Sequence, residues 1–335
     1  MSLIPVTILT GFLGSGKTTL LNQILKADHG HRIAVIENEF GEAGIDNELL
    51  VQDTNEQIVE MNNGCICCTV RGDLVRILNE LAAKRKAGAL KFDHVVIETT
   101  GLADPAPVAQ TFFVDEDVQM HYLLDAIVTL VDAVHAPQQL DEHHEAQEQV
   151  GFADRLLLSK TDLVTPEALT ALRNRLVRIN PRAKVAESRH GVTNIAEVLD
   201  IRGFNLNAIL EIEPAFLTDV DHEHDDDVTS FVFREKRALD LEKLENFLSG
   251  LVQLYGAQMM RYKGVLNVRG EDSRIVFQGV HMLMGSDRGA KWKPADTRDS
   301  KMVFIGRDLP RQLIEDGLAD CVFTGKRKQA ASQPA

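Results

Sequence analysis

The feature that most constrains the fold is a glycine-rich octapeptide near the amino terminus. Residues Gly11–Thr18 read GFLGSGKT and match the pattern G-x-x-x-x-G-K-[ST]. The octapeptide follows the β-branched run Val6–Thr10 and precedes a helical pattern whose apolar face is formed by Leu20, Leu21, Ile24 and Leu25. A strand, a glycine loop and a helix in this order predict the phosphate-binding unit of a P-loop protein, and this context argues against an incidental glycine turn.

The positions of this loop have separate tasks in nucleotide binding. Glycines let backbone N–H groups close around phosphate oxygens, and the amino terminus of the following helix adds positive potential. Lys17 is predicted to reach the β- and γ-phosphates, and the Thr18 hydroxyl is predicted to ligate Mg²⁺. We therefore predict a nucleotide site formed by Gly11, Gly14, Ser15, Gly16, Lys17, Thr18 and Thr19.

A second segment indicates which base is recognised. Ser159-Lys160-Thr161-Asp162 follows the apolar run Arg155–Leu158, at the carboxyl edge of the predicted sheet, where ligands bind in open α/β folds. The Asp162 carboxylate can accept hydrogen bonds from N1–H and the 2-amino group of guanine, whereas adenine offers neither donor. The Lys160 stem could lie over the purine. A polar loop that begins the next helix is the alternative, but we favour GTP, with Ser159, Lys160 and Asp162 at the base.

Acidic residues follow two other predicted strands. Glu37 and Glu42 bound the segment after the second strand, and Glu98 ends the third. Carboxylates at strand ends can hold Mg²⁺ directly or through water, so Glu98 is, together with the loop lysine, a candidate catalytic residue. Glu39 is better explained as a solvated loop acid. Gly101 would let the backbone approach the γ-phosphate and turn away when that phosphate leaves.

Three of the four cysteines fall within four residues, at Cys65, Cys67 and Cys68. Thiolates at this spacing can converge on Zn²⁺ or Cu⁺, and also on Co²⁺ or Ni²⁺. The fourth coordination position would stay open to Glu37, Glu42 or a group from a partner, which suits metal transfer. Buried thiols or a redox pair are the alternatives, but an Asn-Asn-Gly turn precedes the cluster and adjacent cysteines form a local disulfide poorly.

Composition excludes several classes of protein. A net charge of −14 over 335 residues argues against general affinity for nucleic acid or anionic membrane. No apolar stretch approaches the ~20 residues of a membrane span, and the amino terminus lacks the basic region of a signal peptide. Four cysteines in a chain of this length are not a disulfide framework. We expect a cytoplasmic protein with reduced thiols, in which Cys321 packs in a core.

An acidic segment divides the chain. Strands alternate with helices over residues 1–205, which predicts an α/β domain with a parallel sheet covered by helices on both faces. Residues 206–227 are predicted to be a linker, because eight acidic residues and no Lys or Arg lie between Glu211 and Asp227. His222 and His224 within it could gather metal weakly, but a charged, flexible linker explains them equally well. Residues 228–325 predict a small α+β domain, and residues 326–335 a disordered tail.

Together these segments resemble the CobW-type branch of metal-handling P-loop GTPases over nearly the whole chain. The similar blocks occur in the family's order: Thr10–Leu21, Ile36–Glu42, Asn63–Cys68, Ile97–Pro105 and Ser159–Asp162, then Arg261–Leu266 and Met302–Gly306. The resemblance implies a GTPase that binds a transition metal at C-x-C-C and delivers it to client apoproteins. It implies nucleotide roles for Gly14, Lys17, Thr18, Lys160 and Asp162, and a metal role for Cys65, Cys67 and Cys68. Ser159 stands where many family members have Asn.

The leading hypothesis is a GTP-dependent metallochaperone, most simply for zinc. Bound GTP would order the Ile36–Glu42 loop, which helps to set the fourth metal position, and hydrolysis would release it. Slow turnover is expected, because no residue is evident that orients the attacking water. An accessory GTPase for metal insertion into a corrinoid and a metal-buffering protein with incidental GTPase activity stay open. Expected partners are client metalloproteins, not nucleic acid or membrane, and a nucleotide- or metal-dependent homo-oligomer is compatible with the sequence.

Overall fold

The computed structural model describes residues 3–38, 57–60, 70–204 and 226–324. Several predicted features lie outside these ranges: the cysteine motif with Cys65, Cys67 and Cys68, the acids Glu39 and Glu42, most of the acidic segment with His222 and His224, and the carboxy-terminal tail. The phosphate loop, Glu37, Glu98 and the Ser159–Asp162 segment lie within them.

Within the described residues, a parallel sheet of seven strands forms the first structural unit. Its spatial order is β3-β2-β4-β1-β5-β6-β7, and each strand pairs in parallel with its neighbours. The strands are β1 (Ile4–Gly11), β2 (Ile33–Asn38), β3 (Gln57–Glu60), β4 (His94–Thr99), β5 (Tyr122–Asp132), β6 (Arg155–Ser159) and β7 (Lys184–Ser188). Their carboxyl ends therefore meet at one edge.

Helices cover both faces of this sheet: α1 (Lys17–Lys26), α2 (Val70–Lys86), α3 (Ala106–Val114), α4 (Glu116–His121), α5 (Ala136–Glu142), α6 (His144–Phe152) and α7 (Pro166–Ile179). The strands are apolar on both sides, so successive residues enter different cores. Ile8 and Leu9, adjacent on β1, belong to two separate apolar clusters. None of the helices in the described part of the chain has the length and apolar content required to cross a bilayer.

The second unit is an antiparallel sheet of the order β11-β10-β9-β12-β8 with two helices. Its elements are β8 (Val228–Glu235), α8 (Leu241–Tyr255), β9 (Met259–Leu266), β10 (Ser273–Val280), β11 (Leu283–Lys291), β12 (Ser300–Arg307) and α9 (Arg311–Asp320). Met302 and Phe304 of β12 belong to this unit's own core, whereas Val303 and Ile305 join the core of the first unit. The sheet is thus covered by its helices on one face and by the parallel-sheet unit on the other.

The predicted fold class, a parallel α/β unit followed by a small α+β unit, is confirmed. Apolar periodicity over Pro166–Ile179 and Leu241–Tyr255 predicts two helices, and α7 and α8 have those bounds. The run Gly264–Arg269 predicts a strand that is wrong in position, because β9 spans Met259–Leu266. Strands β3, β7 and β11 and helices α3 to α6 were not predicted. Strand β11 is mostly exposed and polar, so it carries no apolar alternation, and α3 is apolar around most of its circumference.

A buried ion cluster joins the two units. One oxygen of Asp154, just before β6, accepts from Nη2 of Arg182 and from Nη2 of Arg261, at 2.9 Å in each case. Its second oxygen accepts from Ile127 N over 3.0 Å. The three charged side chains are 2%, 6% and 3% exposed for Asp154, Arg182 and Arg261. Burial by itself raises the pKa of Asp154, but Arg261 and Arg182 outweigh that effect and hold it below its ordinary value.

The end of the acidic segment is also attached to the first unit. Arg175 of α7 donates to both carboxylate oxygens of Asp226, with the shortest contact 2.6 Å from Nη2 to Oδ1. Asp227 forms an ion pair with His144 at the start of α6. The chain therefore enters β8 from a fixed point, because the last two acids of the run are bound to neighbouring helices.

Replacing Asp154 by asparagine should destabilise the fold by about 3–5 kcal/mol, since two buried guanidinium groups lose their counter-charge. The measurement is the free energy of urea unfolding at pH 7. Because the folded pKa lies below the unfolded value of about 4, the contribution is complete above that value and disappears as the pH falls through the folded pKa.

The exposed pair between Arg76 and Glu80 provides the matched control. Glu80→Gln should change stability by less than about 1 kcal/mol, because exposed pairs are screened. An Asp154→Asn effect as small as that of the control would contradict the role assigned to the cluster.

Candidate nucleotide site

The phosphate loop is shaped by three glycines with positive φ. Gly11, Gly14 and Gly16 have φ of 141°, 72° and 97°, in the region that residues with a Cβ rarely adopt. Helix α1 begins directly after Gly16, and no side chain described in the structure caps its amino terminus. Its first N–H groups are therefore available to an anion, which is the property expected of a phosphate site.

Lys17 folds back across this loop. Its ammonium donates to Gly11 O at 2.7 Å and to Phe12 O at 3.3 Å. Burial lowers the pKa of Lys17, and the nearby charge of Glu98 partly opposes that shift. The ammonium is thus held inside the loop by carbonyl oxygens, close to the position that the sequence predicted for phosphate binding.

Oxygen ligands lie beside the loop. Thr18 Oγ1 donates to Glu98 Oε1 over 2.9 Å, and Glu37 stands opposite Glu98 in the register of β2 and β4. Hydroxyl and carboxylate oxygens are the ligands that Mg²⁺ prefers. The residues present therefore fit the ion that the sequence predicted here, and Thr18 and Glu98 are the groups that would hold it.

The turn after β4 packs directly on the phosphate loop. A Cβ added at Gly101 would lie 2.7 Å from Leu13 N and 2.8 Å from Leu13 Cα. The turn is closed by a hydrogen bond from Ala103 N to Thr100 O of 3.1 Å. Gly101 is accordingly required by this close approach, and the turn cannot move without the loop being affected.

The Ser159–Asp162 segment is connected to the same loop. Ser159 Oγ donates to Ser15 O over 2.7 Å. Lys160 has a positive φ of 54°, and its ammonium donates to Asp132 Oδ2 over 2.6 Å. Asp162 is exposed, so its carboxylate is accessible to the base that the sequence predicts there. The Ser159–Asp162 segment and the phosphate loop therefore share one edge of the sheet.

Asp132 was missed by the sequence analysis. It ends β5, is 1% exposed, and also lies 2.8 Å from His135 Nδ1. Burial would raise the pKa of Asp132, but its hydrogen bonds with Lys160 and His135 hold it below its usual value. Its position at the carboxyl end of an apolar strand was the available signal. Its contact with Lys160 orients a residue predicted to lie on the purine.

The metal prediction lies largely outside the described residues. In the parts of the chain that the structure describes, no group of three His, Cys, Asp or Glu side chains is arranged to hold a metal ion. Cys321 is buried, its thiol donates to Gly317 O over 3.1 Å, and burial raises its pKa to about 11. The prediction that Cys321 packs in a core is confirmed.

Comparisons with known proteins agree with this geometry. Residues 5–187 match the nucleotide-binding domain of the CobW/HypB/UreG family. Residues 228–322 match the carboxy-terminal domain of the cobalamin synthesis protein CobW. The chain is 42% identical over 332 residues to the zinc chaperone YjiA of Escherichia coli K12, across 98% of this chain and 100% of that protein.

Two further relatives extend the comparison. The zinc-regulated GTPase metalloprotein activator 1 of Schizosaccharomyces pombe is 33% identical over 349 residues, across 92% of this chain and 83% of that protein. The crystal structure of the Zn(II)-bound YjiA GTPase from E. coli matches with a TM-score of 0.80 and 37% identity, across 96% of this chain and 99% of that one.

The fold and the loop geometry define a P-loop nucleotide-binding protein. More narrowly, the chain belongs to the CobW/HypB/UreG family, and within it to the GTPases of the YjiA/CobW zinc-chaperone type, which hydrolyse GTP.

Gly101→Ala should lower kcat for GTP hydrolysis by about 10- to 100-fold, because the added Cβ displaces either the turn or the phosphate loop. Steady-state phosphate release measures the effect, and circular dichroism checks the fold. The matched control is Gly250→Ala in α8, where a Cβ meets nothing within 4 Å.

The control should leave kcat unchanged and raise stability by up to about 1 kcal/mol, since alanine favours a helix over glycine. Equal kcat values for Gly101→Ala and the unaltered protein would show that the close approach at Gly101 is not needed for hydrolysis.

Proposed function

We propose that this GTPase binds zinc through Cys65, Cys67 and Cys68 and transfers it to client proteins in a step controlled by GTP hydrolysis. The observation that carries the proposal is topological. Cys65 follows Glu60, the last residue of β3, by five residues, and β3 ends at the same edge of the sheet as β1 and β4.

Distances along the chain support this arrangement. β3 is three strand spacings from β1, or about 14 Å at about 4.8 Å per spacing. Five residues of extended chain reach at most about 18 Å. A metal held by the cysteine motif is thus within reach of the edge that carries Lys17, Thr18 and Glu98.

Glu37 is the group best situated to connect the two sites. It stands beside Glu98 in the sheet register, and Glu98 accepts from the hydroxyl of Thr18. A displacement of the phosphate loop on hydrolysis would therefore first move Glu98 and Glu37. With three thiolates as ligands, Glu37, Glu42 or a client group would complete a four-coordinate zinc site.

The site geometry supports the following nucleotide roles. Lys17 would hold the β- and γ-phosphates, Asp162 would accept from guanine, and Thr18 with Glu98 would hold Mg²⁺, which supplies charge neutralisation at the phosphates. The backbone at Gly101 would contact the γ-phosphate. Among these groups, Lys17 and Glu98 are the candidate catalytic residues, because both would lie beside the bound phosphates.

Client proteins are the proposed recipients of the metal. The Schizosaccharomyces pombe relative is named a metalloprotein activator, and an open fourth position at a three-thiolate site suits handover to such a protein. Co²⁺ and Ni²⁺ would compete for the same ligands, since thiolate sites accept several borderline metals.

Simultaneous replacement of Cys65, Cys67 and Cys68 by serine should weaken zinc binding by at least about 100-fold, because it removes three ligands from the metal. Competition with a chromophoric zinc chelator measures affinity and stoichiometry, in GTP, in GDP and without nucleotide. Cys321→Ser is the matched control and should leave both quantities unchanged.

Two outcomes would refute this proposal. One is a triple variant that keeps the zinc affinity and stoichiometry of the unaltered protein. The other is a zinc affinity that is equal in GTP, GDP and nucleotide-free protein, which would favour a metal-buffering role. Lys17→Ala should bind zinc normally but release no additional zinc to the chelator when GTP and Mg²⁺ are added.

Asp162→Asn should weaken GTP binding by about 10- to 100-fold, because a charged acceptor for two guanine donors is lost. The amide can instead donate to the 2-oxygen of xanthine, so binding of XTP should improve. Calorimetry with GTP, XTP and ATP tests this reversal. Unchanged affinity for GTP would show that Asp162 does not read the base.

A further inference from the structure

A buried glutamine of α6 contacts the turn that packs on the phosphate loop. Gln149 is 1% exposed, and its Nε2 donates to Gly101 O and to Ala103 O, at a distance of 3.1 Å in each case. Both amide hydrogens are therefore used on one turn, from a position 46 residues beyond Ala103 in the sequence. Two carbonyl groups that flank the turn are fixed by a single side chain.

The opposite side of this turn meets the phosphate loop. Gly101 is so close to Leu13 that a Cβ would lie 2.6 Å from the Leu13 side chain and 2.7 Å from its backbone nitrogen. The Gly101 turn is thus held between Leu13 and Gln149. Removing the amide of Gln149 would remove the two hydrogen bonds to the turn and leave the packing of Gly101 on Leu13 in place.

Helix α6, which carries Gln149, contacts neighbours in both units. The backbone oxygen of Gln149 accepts from Thr129 Oγ1 of β5 over 2.8 Å. The preceding residue, Glu148, forms an ion pair of 3.0 Å with Arg307 at the end of β12. Further along α6, the ring of Phe152 lies 5.2 Å from the ring of His281. The donor to the turn is therefore rigidly placed, because its helix is fixed on both sides.

We propose that Gln149 is a positioning residue for GTP hydrolysis, which holds the Gly101 turn where its backbone meets the γ-phosphate. The inference rests on the γ-phosphate contact proposed above for Gly101. Gln149 acts through the turn and does not touch the nucleotide. Displacements of about 1 Å in a reacting geometry can cost about 100-fold in rate, so two hydrogen bonds that fix this backbone are directly relevant to kcat.

The effect should be confined to the nucleotide that has a γ-phosphate. Gln149→Met keeps a similar volume and loses both hydrogen bonds. We expect kcat for GTP hydrolysis to fall at least 10-fold, while the Kd for GDP changes by less than threefold. Stopped-flow binding and phosphate release with the full chain provide the two measurements.

Gln147 supplies the matched control on the same helix. It is also buried, but its amide donates to Leu140 O and accepts from Val228 N, so it has no contact with the turn. Gln147→Met should lower the unfolding midpoint as much as Gln149→Met does, and should keep kcat within twofold of the unaltered protein.

Gln149→Glu separates positioning from packing by its pH profile. A buried carboxylate facing two carbonyl oxygens repels them, whereas its protonated form can donate one hydrogen bond. The ratio of its kcat to that of the unaltered protein should therefore rise as the pH falls. If Gln149 served only for packing, the ratio of the two kcat values would not rise as the pH falls.

The outcomes distinguish the positioning role of Gln149 from the proposed contact of Gly101 with the γ-phosphate. Gln149 has no positioning role if Gln149→Met lowers kcat no more than Gln147→Met, or if GDP affinity is lost in parallel with kcat. A ratio for Gln149→Glu that stays flat with pH overturns it as well. Unchanged kcat in Gly101→Ala would instead remove the γ-phosphate contact itself, whatever the behaviour of Gln149.

Discussion

The phosphate site depends on one close approach of backbone to backbone, between Gly11 at the end of β1 and Leu130 of β5. A Cβ at position 11 would lie 2.4 Å from Leu130 O, so a side chain there would push the loop off the sheet. The other contacts of the loop follow from this placement: Ser15 accepts from Ser159, and Leu13 packs on Gly101. The Ser159–Asp162 segment and the turn after β4 are consequently positioned relative to one loop.

The two units of the chain are joined more closely than their different sheet types suggest. Residues from β8, β9, β10 and β12 belong to the same apolar cluster as the strands of the parallel sheet. The ion cluster around Asp154 adds charged contacts to this apolar surface. Because α6 contacts both the Gly101 turn and β12, any movement of that turn has a direct physical route to the carboxy-terminal unit.

Local patterns predicted much of this molecule, and contacts between distant segments account for the rest. The octapeptide around Lys17, the amphipathic helix α7 and the buried Cys321 all follow from neighbouring residues alone. The contacts of Asp132 with Lys160 and of Gln149 with Gly101 could not be assigned, because these partners lie 28 and 48 residues away in sequence. The acidic run looked uniform, yet Asp226 is bound to Arg175, a contact that no composition reveals.

The two-sided burial of β12 has a consequence for how the chain reaches this state during synthesis. Val303 and Ile305 face the first unit and Met302 and Phe304 face the second, so the strand completes two cores at once. The parallel sheet leaves the ribosome first, with the apolar residues around Phe152 still uncovered. Residues of β8, β9 and β10 cover them in part, and the cover is complete only when β12 has been made, so a chaperone would be needed most in the interval before that strand is added.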